Sequence, residues 1–331
     1  MSFLNPRRLV AALLCLSVLG AASAQTKAKT ANYDPETFNS ATDTPLLRSG
    51  SSGAAVARAQ ILLDRSWYSS GEIDGRYAAN MQRMVHAYQQ ARGLRATGTL
   101  TPETWRSLSE DGEPLLTRYT VTEKDAAGPF TKTPADMGER AKMKVLVYES
   151  LEEALAEKFH TSVAWLRQIN KGAKFAAGSE IIVPNVMSGK PPEKAISIQI
   201  DKSQRVLYVL DTEKRPVAGF PISIGNEKND PLPVGTMAIK NEVRNPSFTY
   251  NPRLLKSAPK NAEKVEIAPG PNNPVGTIWM GLTKPHWGIH GTPNPSNVGH
   301  TETNGCIHMT NWDAERLSML AKAGFRVDVR P

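Results

Sequence analysis

The spacing of apolar residues changes abruptly at a short linker, residues 188–193, which reads SGKPPE. Before this linker, apolar residues recur at helical spacing. After it they alternate as in β-strands, for example in AISIQID at 195–201. Proline and glycine recur through residues 216–276, and a helical pattern returns only at 310–324. We therefore predict a multidomain α+β protein with a mostly antiparallel sheet, rolled or sandwiched, in a sheet domain at 194–331.

Residues 48–112, the helical unit, are predicted to form three helices, the last capped by Thr101 ahead of Pro102. The segments IDGRYAANM, AYQQARGL and TGTLTPETWRSL resemble the three-helix peptidoglycan-binding domain found beside wall hydrolases. That resemblance implies binding to wall polymer, and a spacer that binds nothing is the alternative. The predicted inward-facing residues are Val56, Ala59, Leu62, Leu63, Met81, Met84, Val85, Tyr88, Trp105 and Leu108.

Residues 117–187, the βααβ unit, are predicted to form a strand, two helices and a second strand. Ser150 and Glu153 make a capping box ahead of the first of these helices. The segments LAEKFHTSVAWLRQIN and GSEIIVP resemble a LysM glycan-binding module. An insertion at about 124–147 departs from that family, so packing support for the sheet domain is the alternative role.

The N-terminus is predicted to be a secretory signal peptide, residues 1–24. Arg7 and Arg8 precede a short apolar run, and an A-x-A cleavage site ends at Ala24. The apolar run is too short to span a bilayer, so we expect no stable membrane insertion after cleavage, and a location in the periplasm or cell wall. Residues 25–47 lack apolar periodicity and are predicted to be a linker.

Composition is that of an ordinary globular protein, with 40% hydrophobic and 22% charged residues. The formal net charge is +8, and removing Arg7 and Arg8 leaves 8 − 2 = +6. The positive charges are scattered without interleaved aromatic residues, so nucleic acid is not an expected partner. No cofactor or metal is expected, because His286, His290 and His300 lack a carboxylate at metal-ligand spacing.

The mature chain is expected to carry a single cysteine, Cys306, because cleavage removes the other, Cys15. A lone thiol in an oxidising compartment is either buried filler or a reactive group. A reactive thiol needs a nearby base, commonly histidine. His290 lies 16 residues before Cys306, close enough for one loop to return, and is followed by Gly291. His300 lies in a polar loop and is expected to be solvated.

The stretch HGTPNPSNVGHTETNGCIHMTNWDA resembles the signature of the L,D-transpeptidase (YkuD-type) family. PLPVGTMAI and GPNNPVGTIWMGL resemble segments that precede this signature, and the resemblance covers about residues 194–331. It implies that Cys306 is the nucleophile and His290 its base, with the carbonyl of Gly291 orienting the imidazole. It also implies that the backbone N–H groups of Gly305 and Cys306 stabilise the oxyanion.

Two residues of this stretch depart from the family pattern, because Asn304 and His308 stand where His and Arg are usual. An amide still forms hydrogen bonds, whereas losing arginine removes a permanent bidentate charge, so His308 is expected to bind a carboxylate only weakly at neutral pH. The residues expected to shape or contact the substrate site are Thr303, Asn304, His308, His286, Trp287 and Asn311.

The resemblance implies an exported enzyme that transfers acyl groups of peptidoglycan stem peptides through a thioester, forming cross-links or exchanging the terminal D-residue. Carbapenem-type inhibitors are expected to acylate the same thiol. The alternatives are an L,D-carboxypeptidase or other hydrolase on the same stems, and a catalytically inert wall-binding scaffold. An activated Cys306 is expected to alkylate quickly near neutral pH. The helical and βααβ units are expected to hold the enzyme on stems and glycan strands without taking part in the chemistry.

Overall fold

The computed structural model describes residues 33–228, 231–254, 261–303 and 305–331. The predicted signal peptide, the first part of the predicted linker and Asn304 lie outside the described residues. No helix within those ranges has the length and apolar character needed to cross a membrane.

The described part of the predicted linker is folded, so its assignment as a structureless connection is wrong from Tyr33 onward. It begins with α1 (Pro35–Asn39), which is capped by the carboxylate of Asp34 and buries Phe38 at 2% exposure. The guanidinium of Arg58 donates to the carbonyl of Ala41 at 2.6 Å. A five-residue helix is too short to show apolar periodicity, which is why the sequence gives no sign of it.

The helical unit contains the three predicted helices, α2 (Ala54–Arg65), α3 (Ala79–Ala91) and α4 (Pro102–Leu108). The hydroxyl of Thr101 caps α4 by accepting the N–H of Thr104. All ten residues predicted to face inward are buried, which confirms the helical periodicity.

The predicted strand–helix–helix–strand order is present in the βααβ unit. The elements are β1 (Leu116–Thr120), α5 (Glu123–Ala126), α6 (Met137–Ala141), α7 (Leu151–Lys158), α8 (Val163–Ile169) and β2 (Glu180–Pro184). β1 and β2 pair antiparallel. The hydroxyl of Ser150 caps α7 by accepting the N–H of Glu153, whereas the carboxylate of Glu153 accepts the N–H of Glu149, so only half of the predicted capping box is present. The insertion supplies the short helices α5 and α6, and α6 packs against a hairpin of the sheet domain. The arrangement is that of the predicted module, and its LysM identity stays a prediction.

The sheet domain holds eight strands in one sheet. Its elements are β3 (Ser197–Asp201), β4 (Val206–Leu210), β5 (Pro216–Pro221), β6 (Gly235–Arg244), β7 (Phe248–Tyr250), β8 (Val265–Ile267), β9 (Ile278–Leu282), β10 (Gly288–His290), β11 (Ile307–His308), α9 (Asn311–Leu320) and β12 (Arg326–Arg330). The sheet order is β11-β10-β9-β6-β12-β3-β4-β5, while β7 and β8 form a separate hairpin. Only the pairs β10–β11 and β12–β3 are parallel, so the sheet is mostly antiparallel, as predicted.

The two edges of this sheet approach each other. After β5, Ser223 bridges to His308 of β11, and Gly225 bridges to Thr303. The sheet therefore curls around a single core, and α9 packs on it through Leu317. The curl brings the loop before β11 against the chain that follows β5.

The helical unit shares its hydrophobic contacts with the sheet domain. Trp67 packs into the core of the sheet, and Tyr208 of β4 packs into the core of the helical unit. Backbone hydrogen bonds run from Ser69 N–H to Gly219 O at 3.0 Å and from Gly219 N–H to Trp67 O at 2.9 Å, so residues 67–69 extend the edge of the sheet beside β5. These contacts and hydrogen bonds pack the helical unit directly against the sheet domain. Its expected role in holding the enzyme on wall polymer stays a prediction.

A buried ionic network joins all three parts of the chain. Asp64 of α2 accepts from Arg316 of α9 at 2.8 Å and contacts Nδ1 of His160, which follows α7, at 3.0 Å. The guanidinium of Arg316 also lies over the ring of Trp67 at 5.2 Å. Burial of both charges is offset by their pairing and by hydrogen bonds from Arg316 to main-chain carbonyls.

Candidate active site

The site is built on the two parallel strands β10 and β11. Ile289 pairs with Ile307 and His290 with His308, and the two isoleucines are fully buried in the sheet core. Alternation along each strand therefore directs both histidines to the opposite face. Cys306 directly precedes β11, and the backbone N–H of Gly288, at the start of β10, faces its sulfur. The structure thus brings the thiol and the two imidazoles together at one edge of the sheet.

The imidazole of His290 is held in one tautomer. Its Nδ1 lies 2.7 Å from the carbonyl oxygen of Gly291, and because a carbonyl only accepts, Nδ1 carries the proton. Nε2 then has a free lone pair. The ring is buried and stacks on the indole of Trp279, with centroids 5.3 Å apart. Burial lowers the pKa of His290 to about 4, although the Gly291 carbonyl raises it in part. His290 is therefore a neutral base with Nε2 as the accepting atom.

Cys306 is a partly buried thiol at rest. Burial raises its pKa above the ordinary value, and the N–H groups of Gly288 and of Cys306 itself oppose this by favouring the thiolate. The sulfur lies 3.7 Å from the carbonyl oxygen of His286. With a neutral imidazole and a raised thiol pKa, the resting pair is uncharged. The expectation of fast alkylation near neutral pH stays a prediction. Burial of the thiol opposes it by raising the pKa of Cys306, and the two N–H groups favour it by stabilising the thiolate.

The loop before Cys306 is closed by Thr303. Its hydroxyl donates to the carbonyl of Cys306 at 2.7 Å and accepts the N–H of Gly305 at 3.3 Å. Gly305 has φ +123°, a conformation that favours glycine. One predicted role needs correction, because the N–H of Gly305 is engaged within the loop rather than free for an oxyanion. The hydroxyl of Thr303 shapes the loop, as expected, and its contact with substrate stays a prediction.

His308 lies beside the base. Its ring is half-buried, with its centroid 4.3 Å from that of His290. Burial and the neighbouring imidazole hold the pKa of His308 well below its ordinary value. Position 308 therefore offers a neutral hydrogen-bonding group to a substrate, and no cation.

Asn311 does not face the substrate, so its predicted contact role is wrong. The residue is 2% exposed, and its amide nitrogen donates to Glu157 Oε2 at 3.0 Å and to the carbonyl of Pro271 at 3.2 Å. Its oxygen accepts the N–H of Thr277 at 3.3 Å. Both polar atoms of the Asn311 side chain are therefore engaged by buried protein groups, next to the turn that follows His290.

The remaining predicted residues lie in different places. His286 is exposed with φ +68°, and Trp287 is half-buried against the sheet core, so both flank the approach to Cys306. His300 is exposed, as expected, in a groove against the helical unit.

Two features of the site escaped the sequence reasoning. Trp279 pairs with His290 across β9 and β10 and supplies the ring on which the imidazole stacks. Gly288 makes room for this indole, because a Cβ there would lie 2.6 Å from the Trp279 ring. The sequence could have indicated the roles of Trp279 and Gly288 if the segments around Trp279 and His290 had been predicted to form a β-hairpin.

Comparison with known proteins matches two ranges of this chain to family models. Residues 195–329 match the model of the L,D-transpeptidase catalytic domain, YkuD, and residues 52–108 match that of a putative peptidoglycan binding domain. The putative L,D-transpeptidase YkuD of Bacillus licheniformis is 30% identical over 183 residues, which cover 54% of this chain and 93% of that protein. This chain belongs to the L,D-transpeptidase family. The Bacillus subtilis YkuD protein is 28% identical over 178 residues, covering 53% of this chain and 91% of the relative.

A solved structure is similar at lower identity. The L,D-transpeptidase from Xylanimonas cellulosilytica has 16% identity and a TM-score of 0.38, covering 88% of this chain and 98% of that one.

Proposed function

We propose that this protein is an exported cysteine L,D-transpeptidase that acts on peptidoglycan stem peptides through a thioester acyl-enzyme. One observation carries the proposal: Nδ1 of His290 is fixed on the Gly291 carbonyl, which leaves Nε2 as a free base at the same sheet edge as Cys306. This is the arrangement of a nucleophile with an oriented base.

Acylation begins from the uncharged pair. As the sulfur of Cys306 attacks the carbonyl carbon of the stem amide, its proton passes to Nε2 of His290. The backbone N–H groups of Cys306 and Gly288, which face the sulfur, stabilise the oxyanion. The C–N bond then breaks, the amine of the terminal D-residue leaves with the proton from Nε2, and the thioester remains.

Deacylation reverses these roles. The amine of a second stem loses a proton to Nε2 as it attacks the thioester carbonyl, and the Cys306 sulfur leaves and regains that proton. An acceptor stem gives a cross-link, and a free D-amino acid gives exchange of the terminal residue. Because His308 is neutral, the donor is bound by hydrogen bonds at this position rather than by an ion pair.

The proposed location is the periplasm or cell wall. The n-h-c layout of residues 1–24 supports export. The match of residues 52–108 to a peptidoglycan binding domain supports contact with the polymer.

Acylation by a carbapenem tests the nucleophile and its base. We expect the mature protein to gain the mass of one intact carbapenem, mapped to the peptide containing Cys306. His290→Ala should slow adduct formation by several orders of magnitude, because the thiol then has no base. His300→Ala, at an exposed histidine, is the matched control. An adduct that persists in Cys306→Ala would refute the proposal.

Product analysis tests the reaction. Incubation with defined muropeptides, followed by mass spectrometry, should give cross-linked dimers, or stems whose terminal D-residue has been exchanged. Stems that only lose the terminal residue, with uptake of water, would show a hydrolase instead. No turnover together with no carbapenem adduct would identify an inert wall-binding scaffold.

A further inference from the structure

A carboxyl group of the βααβ unit lies close to the turn that follows the candidate base, His290. Glu157, on α7, is 7% exposed, and its side chain reaches the sheet domain. Its oxygens accept the side-chain N–H groups of Asn311, at the start of α9, at 3.0 and 3.3 Å. The hydroxyl of Tyr148 donates to the same carboxyl group at 3.3 Å. All these groups are buried or partly buried, so their hydrogen bonds form an ordered contact between the βααβ unit and the sheet domain.

Asn311 in turn packs against the turn that positions His290. Its Oδ1 lies so close to the backbone that a Cβ on Gly291 would be 2.3 Å away, and one on Gly276 would be 2.1 Å away. The carbonyl of Gly291 is the group that accepts from His290 Nδ1. A displacement of the Asn311 amide would therefore move the acceptor that fixes the tautomer of the base.

We propose that Glu157 is a positioning residue for the active site: it fixes the amide of Asn311, which supports the Gly291 turn and so holds His290 in the Nδ1–H tautomer. The βααβ unit then helps to position the catalytic base, in addition to any binding of glycan. The inference rests on the proposed function for its effect on turnover, and its effect on the tautomer can be measured without any substrate.

The chemistry of Glu157 suits a fixed hydrogen-bonding role. Burial raises its pKa to about 8, and the carboxylates of Glu153 and Glu315 add to this rise, whereas the hydrogen bonds from Asn311 and Tyr148 oppose it. Burial thus favours the neutral form of this carboxyl group, while the donors around it favour the ionised form. Glutamine has the same shape and can accept from Asn311, so Glu157→Gln preserves the connection.

The test compares Glu157→Gln and Glu157→Met with Ser69→Ala in the full chain. Ser69 is a matched control because its buried hydroxyl also crosses to α9, donating to Asp313 at 2.9 Å, but does not touch the His290 turn. Imidazole nitrogen NMR reports the tautomer, and steady-state kinetics on a soluble muropeptide report kcat and KM. Thermal melting shows which variants are folded.

Glu157→Met should give a mixture of His290 tautomers and lower kcat by about 10- to 100-fold with little change in KM, the cost of a slightly misplaced catalytic group. Glu157→Gln should retain the Nδ1–H tautomer and most of the turnover. Ser69→Ala should keep both, even if its melting temperature falls. A folded Glu157→Met with an unchanged tautomer, or a Ser69→Ala variant with an equal loss of kcat, overturns the inference.

A second measurement covers the case in which Glu157→Met does not fold. Raising the pH through about 8 ionises Glu157 in the wild type. The His290 nitrogen signals should then show an inflection near that pH which Glu157→Gln lacks. An inflection that is identical in the two proteins overturns the inference. If wild-type turnover is absent while the tautomer still responds to Glu157, the proposed function fails and the positioning role stands.

Discussion

At the scale of single residues, the site is a neutral thiol beside a neutral imidazole. Burial lowers the pKa of His290 and raises that of Cys306, so each group disfavours its charged form. The proton must therefore move during attack on the substrate rather than before it. The reactivity of the pair toward a substrate therefore depends on an acyl carbonyl held close to both groups.

The pH dependence of acylation follows from this state. The base works only when Nε2 is unprotonated, and since the pKa of His290 is lowered to about 4, activity should persist well below pH 6. We expect kcat/KM for a soluble muropeptide to fall with an apparent pKa near 4 as the pH decreases. Circular dichroism at each pH separates this loss from unfolding. An acidic limb near pH 6.5 would instead indicate a solvated histidine.

At the scale of secondary structure, the helices and the longer strands were readable from the sequence, whereas the pairing of the site strands was not. α2, α3 and β3 repeat the helical or alternating period long enough to be recognised. β10 and β11 have three and two residues, too few to show alternation. Their parallel pairing depends on the curl of the whole sheet, so the resemblance identified Cys306 and His290 while only the structure showed how they meet.

The turn at Gly276 is a second element that sequence reasoning could not place. Gly276→Ala should destabilise the fold by about 1–3 kcal/mol more than a control, because its Cβ would overlap Asn311 and the Gly291 backbone. Gly112→Ala is the control: its φ of +66° resembles the +63° of Gly276, but no atom lies within 4 Å of its Cβ. Denaturant unfolding measures both. Equal losses would show that backbone strain, not contact, is the cause.

At the scale of the whole molecule, the three parts of the chain share one interior. Trp67 lies in the sheet core, Tyr208 lies in the helical core, and Asp64 joins His160 and Arg316. Sequence reasoning divided the chain by the spacing of its apolar residues, but contacts between residues so far apart leave no periodic signal. For the same reason, the link from Glu157 to the active site could not be foreseen.

Breaking the buried network should cost far more than breaking a surface ion pair. Arg316→Met leaves the carboxylate of Asp64 without its main partner, at an expected loss of about 3–5 kcal/mol in the free energy of unfolding. Arg118→Ala removes an exposed pair with Glu180 and should cost less than about 1 kcal/mol. Denaturant titration followed by tryptophan fluorescence compares them. Similar losses in the free energy of unfolding for the two variants would mean that the buried network contributes little to stability.

The central position of β12 has a consequence for the time course of folding. It is the last described strand in the chain, yet it lies in the interior of the sheet between β3 and β6. It supplies the ladder between the half of the sheet that contains β9 and the half that contains β4, which also meet through the isolated bridges at Ser223 and Gly225. Contacts spanning this much sequence close slowly. β12 thus completes the ladder between the half of the sheet that carries the thiol and its base and the half that packs on the helical unit.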